Sequence, residues 1–186
     1  MELQHVNIKL YLGDPQAVKL ETLVPVFHGW IQSKACDELL IDVADYRHVH
    51  AGPGVVLIGH EADYSVDNTD NRLGIRYNRK AALGGSNRDR FSQALRGALL
   101  ACQRLEADEK LNGTLRFDRR NMKLFINDRM LAPNAGNVSD AVQAELRDFF
   151  TDVCGDPDVE MQFDRNSRRL LGVTVTTARP LDLDRM

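Results

Sequence analysis

Residues 86–126 read SNRDRFSQALRGALLACQRLEADEKLNGTLRFDRRNMKLFI, and this stretch contains the patterns of both a helix and β-structure. In its first half, apolar residues keep the spacing of one helical stripe, and Ser86 or Asn87 can cap the helix that begins there. In its second half, apolar and polar residues alternate on both sides of the polar stretch 118–121, which is typical of a β-hairpin. The stretch therefore predicts a helix to about Ala107 and then two strands.

The same order of patterns recurs further along the chain. A second apolar stripe follows a possible cap at Asn137 or Ser139 and ends at Gly155, a residue typical of helix C-termini. Alternating apolar residues then predict one strand at 159–163 and another at 171–175. A helix followed by a hairpin is therefore predicted twice.

The two predicted units also share a tripeptide, because Phe-Asp-Arg begins at Phe117 and again at Phe163. We predict a duplicated αββ-αββ unit over residues 86–180, with two helices on one face of an antiparallel sheet. The other face of that sheet would carry polar side chains such as Lys123, which water or a partner subunit could cover. Residues 181–186 are predicted to form a loose tail.

The segment 1–80 is predicted to be mainly antiparallel β-structure with one short helix. Alternation across residues 3–12 predicts a strand with one buried face, and Pro25 suits the first turn of a short helix. Further strands are predicted at 39–43, 55–58, 62–67 and 73–77. The whole chain is thus predicted to be α+β.

Composition limits the class of protein. With 186 residues, 43% apolar and 27% charged, the chain can bury a core without a disulfide or a structural metal. The formal net charge of -3 is the opposite of the Lys and Arg surplus that neutralises phosphates, so nucleic-acid binding is disfavoured.

The sequence also favours a cytoplasmic location. The N-terminus lacks the pattern of a signal peptide, and no apolar run approaches the ~18 residues of a membrane span. Cys36, Cys102 and Cys154 are odd in number and far apart, which is typical of reduced thiols.

Reactive side chains are densest in two neighbouring stretches. His48 and His50 would project to the same side of an extended segment, and His60 could supply a third metal ligand. Glu61 or Asp45 could then serve as the general base of a metal-dependent, hydrolase-like enzyme. This is the alternative hypothesis for function.

The favoured interpretation places no metal here, because a bare His-x-His lacks the framing of known metal signatures. If strands 39–43 and 55–58 are antiparallel, His60 lies a strand length from His48, and an 11-residue connection is short for parallel pairing. The stretches would instead line a pocket for a small molecule, with binding residues Asp45, Tyr46, His48, His60, Glu61 and Tyr64.

The stretches LLIDVADY at 39–46, GPGV at 52–55 and LIGHEADY at 57–64 resemble an uncharacterised bacterial protein family. The resemblance covers about residues 24–80, and it implies no activity for any residue. We therefore predict a non-catalytic ligand-binding or assembly module that forms a homo-oligomer. Its ligand and any cofactor are not specified by the sequence, and neither is whether the chain is an enzyme.

Overall fold

A computed structural model of the chain describes residues 1–156 and 159–183, except for the side chains of 136–139. Within the described residues the fold is α+β, with three α-helices and one eight-stranded antiparallel sheet. The helix predicted to be capped by Asn137 or Ser139 begins at Gly136 with Ala135 as its N-cap, so the predicted caps are wrong.

The helices are α1 (Leu23–Ser33), α2 (Asn87–Ala107) and α3 (Gly136–Cys154). The strands are β1 (Val6–Leu12), β2 (Leu40–Tyr46), β3 (Gly54–Gly59), β4 (Ala62–Asp67), β5 (Gly74–Arg79), β6 (Phe117–Ile126), β7 (Glu160–Phe163) and β8 (Gly172–Thr176). Their order across the sheet is β2-β3-β4-β5-β1-β6-β8-β7.

The sheet is continuous across the predicted boundary between segments 1–80 and 86–180. Strand β1 pairs with β5 on one side and with β6 on the other. Because β1 joins the strands of the two segments, they share one sheet.

The helix predicted after Ser86 is confirmed. The Ser86 side chain accepts from the Asp89 backbone N–H, and the Asp89 carboxylate accepts from the Ser86 N–H, which makes a capping box. The predicted apolar stripe is buried, at Phe91, Leu95, Ala98, Cys102 and Leu105. Helix α2 packs on β1 and β5, whereas α1 packs on β2 and β3.

The hairpin predicted around 118–121 is wrong, because one strand, β6, runs through that stretch. Leu10 lies opposite Met122 and the next residue, Tyr11, lies opposite Asp118, so the intervening residues of β6 form a bulge against β1. The polar stretch that was predicted to form a turn therefore supplies the additional residues of a bulge in β6. The predicted αββ-αββ duplication is not confirmed, since only the β7–β8 hairpin is present as predicted.

The loose tail predicted from residue 181 is also corrected at its first position. Leu181 is 2% exposed, and its backbone N–H donates to the Arg119 carbonyl in the bulge of β6 at 3.1 Å. The bulge therefore supplies a partner that the sequence does not reveal. Residues 184–186 lie outside the described part of the chain.

The apolar side chains of the strands share one buried cluster with those of the helices, including Ile8, Leu10 and Leu124. The opposite side chains of β1 are buried as well, so the prediction of one buried face is wrong for this strand. Asn7 and Lys9 on that second face are 0% and 4% exposed. They are buried because β1 is central and turns cover the polar face.

Within the described residues, no helix is both long and apolar enough to cross a membrane.

Candidate functional site

Three basic side chains stand side by side on the polar face of the central strands. Lys9 on β1 lies opposite Arg76 on β5 and Lys123 on β6. Like charges on directly opposite residues destabilise a sheet, so such a row needs anions close by. The protein supplies Asp67 and Asp70 from the end of β4 and the turn that follows it.

The most buried charges of this face form one ion pair. The Lys9 Nζ is 2.5 Å from the Asp67 Oδ1 and also donates to the Thr69 carbonyl at 3.0 Å. The Asp67 carboxylate accepts from the Thr69 N–H and hydroxyl at 2.9 and 2.8 Å. Burial lowers the pKa of Lys9, although Asp67 opposes that shift. The pair fixes the β4–β5 turn over β1.

Arg76 lies beside this pair, and we call Lys9, Asp67 and Arg76 together the floor of the polar face. Its Nε donates to the Asn7 Oδ1 at 3.0 Å, and its guanidinium lies 4.8 Å from the centroid of the Phe125 ring. Its Nη1 is 3.6 Å from the Asp67 Oδ2, so Asp67 is shared by two cations. The guanidinium is therefore held in a defined orientation.

Asp70 bridges two turns above the floor. Its backbone has φ 61°, a left-handed conformation in which Asp is among the better tolerated residues. Its Oδ2 accepts from the Lys123 Nζ at 2.9 Å, and its Oδ1 accepts from the Arg169 Nη2 at 3.2 Å. The hydrogen bond from Lys123 is the main cause that lowers the pKa of Asp70.

The turn that carries Arg169 is itself anchored. Arg129, after β6, donates from Nη2 to the Arg168 carbonyl at 2.6 Å. The Asn134 side chain donates to the carbonyls of Asp164 and Asn166 at 2.9 and 3.0 Å. The turn between β7 and β8 is thus held in place over the polar face.

Together with α3, β7 and β8, these turns enclose a groove with two chambers, of about 1240 and 280 Å³. The residues that line both chambers are Tyr11, Asp70, Lys123, Asp164 and Arg169, so the Asp70 bridge stands between them. Among the residues that the structure describes, nine basic ones line the groove: Lys9, Arg72, Arg76, Lys123, Arg129, Arg147, Arg165, Arg168 and Arg169. Four acidic residues of the same described part line it: Asp67, Asp70, Glu160 and Asp164.

Tyr11 offers the groove an aromatic ring. The guanidinium carbon of Arg72 lies 3.5 Å from the centroid of this ring, a close cation–π contact. Burial raises the pKa of Tyr11, so the hydroxyl stays neutral at physiological pH. The ring and the guanidinium together form a flat, positively charged wall.

The residues predicted from sequence lie elsewhere. The Asp45 carboxylate accepts from the backbone N–H, the Nε and the Nη2 of Arg47, whose side-chain hydrogen bond is the main cause that lowers the pKa of Asp45 to about 2. Residues 47–50 form a turn rather than the extended segment assumed for His48 and His50. These two side chains therefore lack the strand geometry of the metal hypothesis.

His60 lies at the other end of the same hairpin. Strands β2 and β3 are antiparallel, with Tyr46 opposite Gly54 and Leu40 opposite Gly59. His48 follows the first of these pairs and His60 follows the second, so the structure does not bring the two imidazoles together. Among the described residues, no group of three His, Cys, Asp or Glu could hold a metal ion.

Glu61 and Tyr64, the remaining predicted residues, belong to a separate cavity. Glu61 pairs with Arg79 at 2.7 Å, and the Tyr64 hydroxyl donates to the Glu38 Oε1 at 2.8 Å. The six predicted binding residues therefore divide between opposite ends of the β2–β3 hairpin and do not form one pocket.

The row of Lys9, Arg76 and Lys123 was missed from sequence. Each residue alternates with apolar neighbours in a predicted strand, which indicates a polar face but not which strands are adjacent. Their convergence depends on the order β5-β1-β6, which no local pattern encodes.

No protein-family model matches the chain, and no curated protein matches it either.

Proposed function

We propose that the chain is a non-catalytic binding module whose polar groove takes a small molecule that carries phosphate. The observation that carries this proposal is the excess of basic over acidic groups around the groove, nine against four within the described part of a chain of net charge -3. Guanidinium and ammonium groups are the usual partners of phosphate oxygens.

The phosphate is best accommodated beside Lys123 and Arg169, where the bridging Asp70 carboxylate now lies. The Asp70 carboxylate is an anion that Lys123 and Arg169 already stabilise at this position. A phosphate with two negative charges would be attracted more strongly by the same two cations. The rest of the ligand would lie along the flat wall of Tyr11 and Arg72. The acids at the bridge and floor, Asp70 and Asp67, are engaged in ion pairs, which disfavours a general-base role.

The proposal places the groove on the polar face of the sheet, with α1 and α2 packed on the other face. In support, the buried side chains of α1 and α2 belong to the same apolar cluster as Ile8 and Leu124. The hydrolase-like alternative is not favoured, because His48 and His60 follow opposite ends of an antiparallel hairpin.

Self-association in the cytoplasm is a further part of the proposal. Strand β2 is at an edge of the sheet, where Ile41 in the strand and Leu39 just before it are 54% and 67% exposed, and such edges tend to pair with other chains. The three cysteines are free, in keeping with a reducing compartment. Light scattering of the purified protein tests the oligomer, and a monomer mass at micromolar concentrations would contradict it.

Calorimetric titration with pyrophosphate tests the groove. We expect saturable binding by the wild-type protein, weakened about tenfold or more in Arg169→Gln and in Lys123→Gln, because each loses a charge-assisted hydrogen bond. Asp70→Asn should bind more tightly, since the competing carboxylate is gone. Lys19→Gln is the matched control, because Lys19 is exposed and lines neither chamber.

Two results would count against the groove. One is the absence of saturable binding at millimolar pyrophosphate. The other is an equal loss of affinity in Lys19→Gln and Arg169→Gln, which would indicate attraction by overall charge and not by a site.

A further inference from the structure

A second cavity, of about 300 Å³, lies where α2 passes the β4–β5 hairpin and the segment before β2. None of the residues that line it line the groove. Its volume is at the lower end of the range for small-molecule sites.

One wall of this cavity is aromatic and tightly packed. The rings of Tyr64 and Tyr77 meet edge to face, with centroids 5.3 Å apart. The Tyr77 ring packs against α2 at Gly97, where an added Cβ would lie 2.7 Å from a ring carbon. The Tyr77 oxygen also accepts from the Gln93 side chain at 2.6 Å. The wall is thus preformed.

Three acidic residues line the cavity among the residues described: Asp37 is exposed, whereas Glu38 and Glu61 accept hydrogen bonds from the protein. Glu38 accepts from the backbone N–H groups of Glu61 and Ala62 at 2.9 and 2.8 Å, and from the Tyr64 hydroxyl at 2.8 Å. Glu61 accepts from the Arg79 Nη1 at 2.7 Å. Glu61 is therefore paired with Arg79, whereas the partners of Glu38 are neutral donors.

Two other guanidinium groups have no such partner. Arg104, which is half-buried, makes one contact, from Nη1 to the Cys36 Sγ at 3.5 Å. Arg96, which is exposed, has neither a hydrogen bond nor an ion pair among the described residues. Burial raises the pKa of the Cys36 thiol, so the sulfur is neutral and adds no negative charge. The lining thus holds three acidic and three basic residues among those described, and Arg104 is a guanidinium without a carboxylate partner beside the aromatic wall.

We propose that this cavity binds a small organic acid, with its carboxylate on Arg104 and its apolar body against Tyr64 and Tyr77. A carboxylate can accept two parallel hydrogen bonds from a guanidinium, a geometry that a lysine does not offer. Arg96 lies at the exposed side and attracts the anion. The site is independent of the groove and does not rest on the function proposed for it.

Titration with benzoate, followed by backbone amide NMR shifts, tests the inference. We expect saturable shifts in 36–38, 61–64 and 93–104, and about tenfold weaker binding by Arg104→Gln. Arg104→Lys should recover only part of the affinity, because the paired geometry is lost. Arg169→Gln, in the groove, is the matched control and should bind benzoate like the wild-type protein.

Benzamide, the neutral analogue of benzoate, separates the carboxylate from the ring. It should bind much more weakly, and equal binding of the two compounds would overturn the role of Arg104. The site itself would be overturned if benzoate gave no saturable shifts, or if the shifts clustered at Tyr11 and Lys123. An unchanged affinity of Arg104→Gln for benzoate would also overturn the proposed site.

Discussion

Replacing Lys9 with Met tests whether the buried ion pair holds the floor of the groove. Methionine keeps the length of the side chain but leaves the Asp67 carboxylate, which is 0% exposed, without its closest cation. Removing one partner of a buried pair costs about 3–5 kcal/mol. Because Thr69 and Arg76 still contact Asp67, we expect a loss near the lower end, about 3 kcal/mol, in the free energy of unfolding.

Urea denaturation measures this loss, and we expect the dependence of the free energy of unfolding on urea concentration to keep the same slope. The midpoint of thermal unfolding should be about 6–12 °C lower for a chain of this size. In Lys9→Met with Asp67→Asn, the orphaned charge is absent, so the double variant should cost at least about 1 kcal/mol less than the two single losses together. Lys19→Met is the exposed control. Additive losses, or a Lys9→Met loss no larger than that of the control, would refute the reasoning.

Three other perturbations follow from the packing and the titratable groups. Gly97→Ala should lower the free energy of unfolding by about 1–2 kcal/mol in urea, because the clash with an aromatic ring outweighs the gain in helix propensity, whereas Gly84→Ala, with open space around it, should stay within about 0.5 kcal/mol. The pKa of Asp70 is lowered in the folded state, so its contribution to the free energy of unfolding is fully present above its unfolded pKa and is lost as the pH falls through its folded pKa. The difference in free energy of unfolding between wild type and Asp70→Asn, measured by urea denaturation, should therefore vanish well below pH 4. A difference that stays constant with pH would contradict this. Thiol labelling of Cys154, whose pKa burial raises to about 11, should accelerate about tenfold per unit between pH 8 and 10, while the fully buried Cys102 should react only in denaturant.

Periodicity was sufficient for most of the elements. The stripe from Phe91 to Leu105 and the alternation around β7 and β8 are local patterns, and the structure has the helix and the hairpin that they predict. The stretch 118–121 has the composition of a turn, yet it contains a bulge because β1 pairs with β6 on both sides of it, at 117–118 and 122–126, and β8 pairs with 121–125. That outcome depends on partners far away in sequence.

The candidate site was harder to predict for a related reason. His48 and His60 attract attention because histidines are rare and reactive, but their distance follows from the direction of pairing between β2 and β3. Lys9, Arg76 and Lys123 look like ordinary solvent-facing residues in three separate strands. They become a site only when register places them in one row, and register is a property of the assembled sheet.

The central place of β1 has a consequence for the order of events during synthesis. Leu10 pairs with Ile75, but Val6 pairs with Ile126, so one side of the first strand is completed long before the other. A nascent chain that has emerged through β5 can form a five-stranded sheet whose β1 edge is still open. That edge is a transient docking strand for a neighbouring nascent chain, and pairing there before β6 emerges would yield intertwined dimers. A translational pause while residues 80–117 emerge from the ribosome should therefore increase such misassembly, whereas a pause after residue 126 has emerged should not.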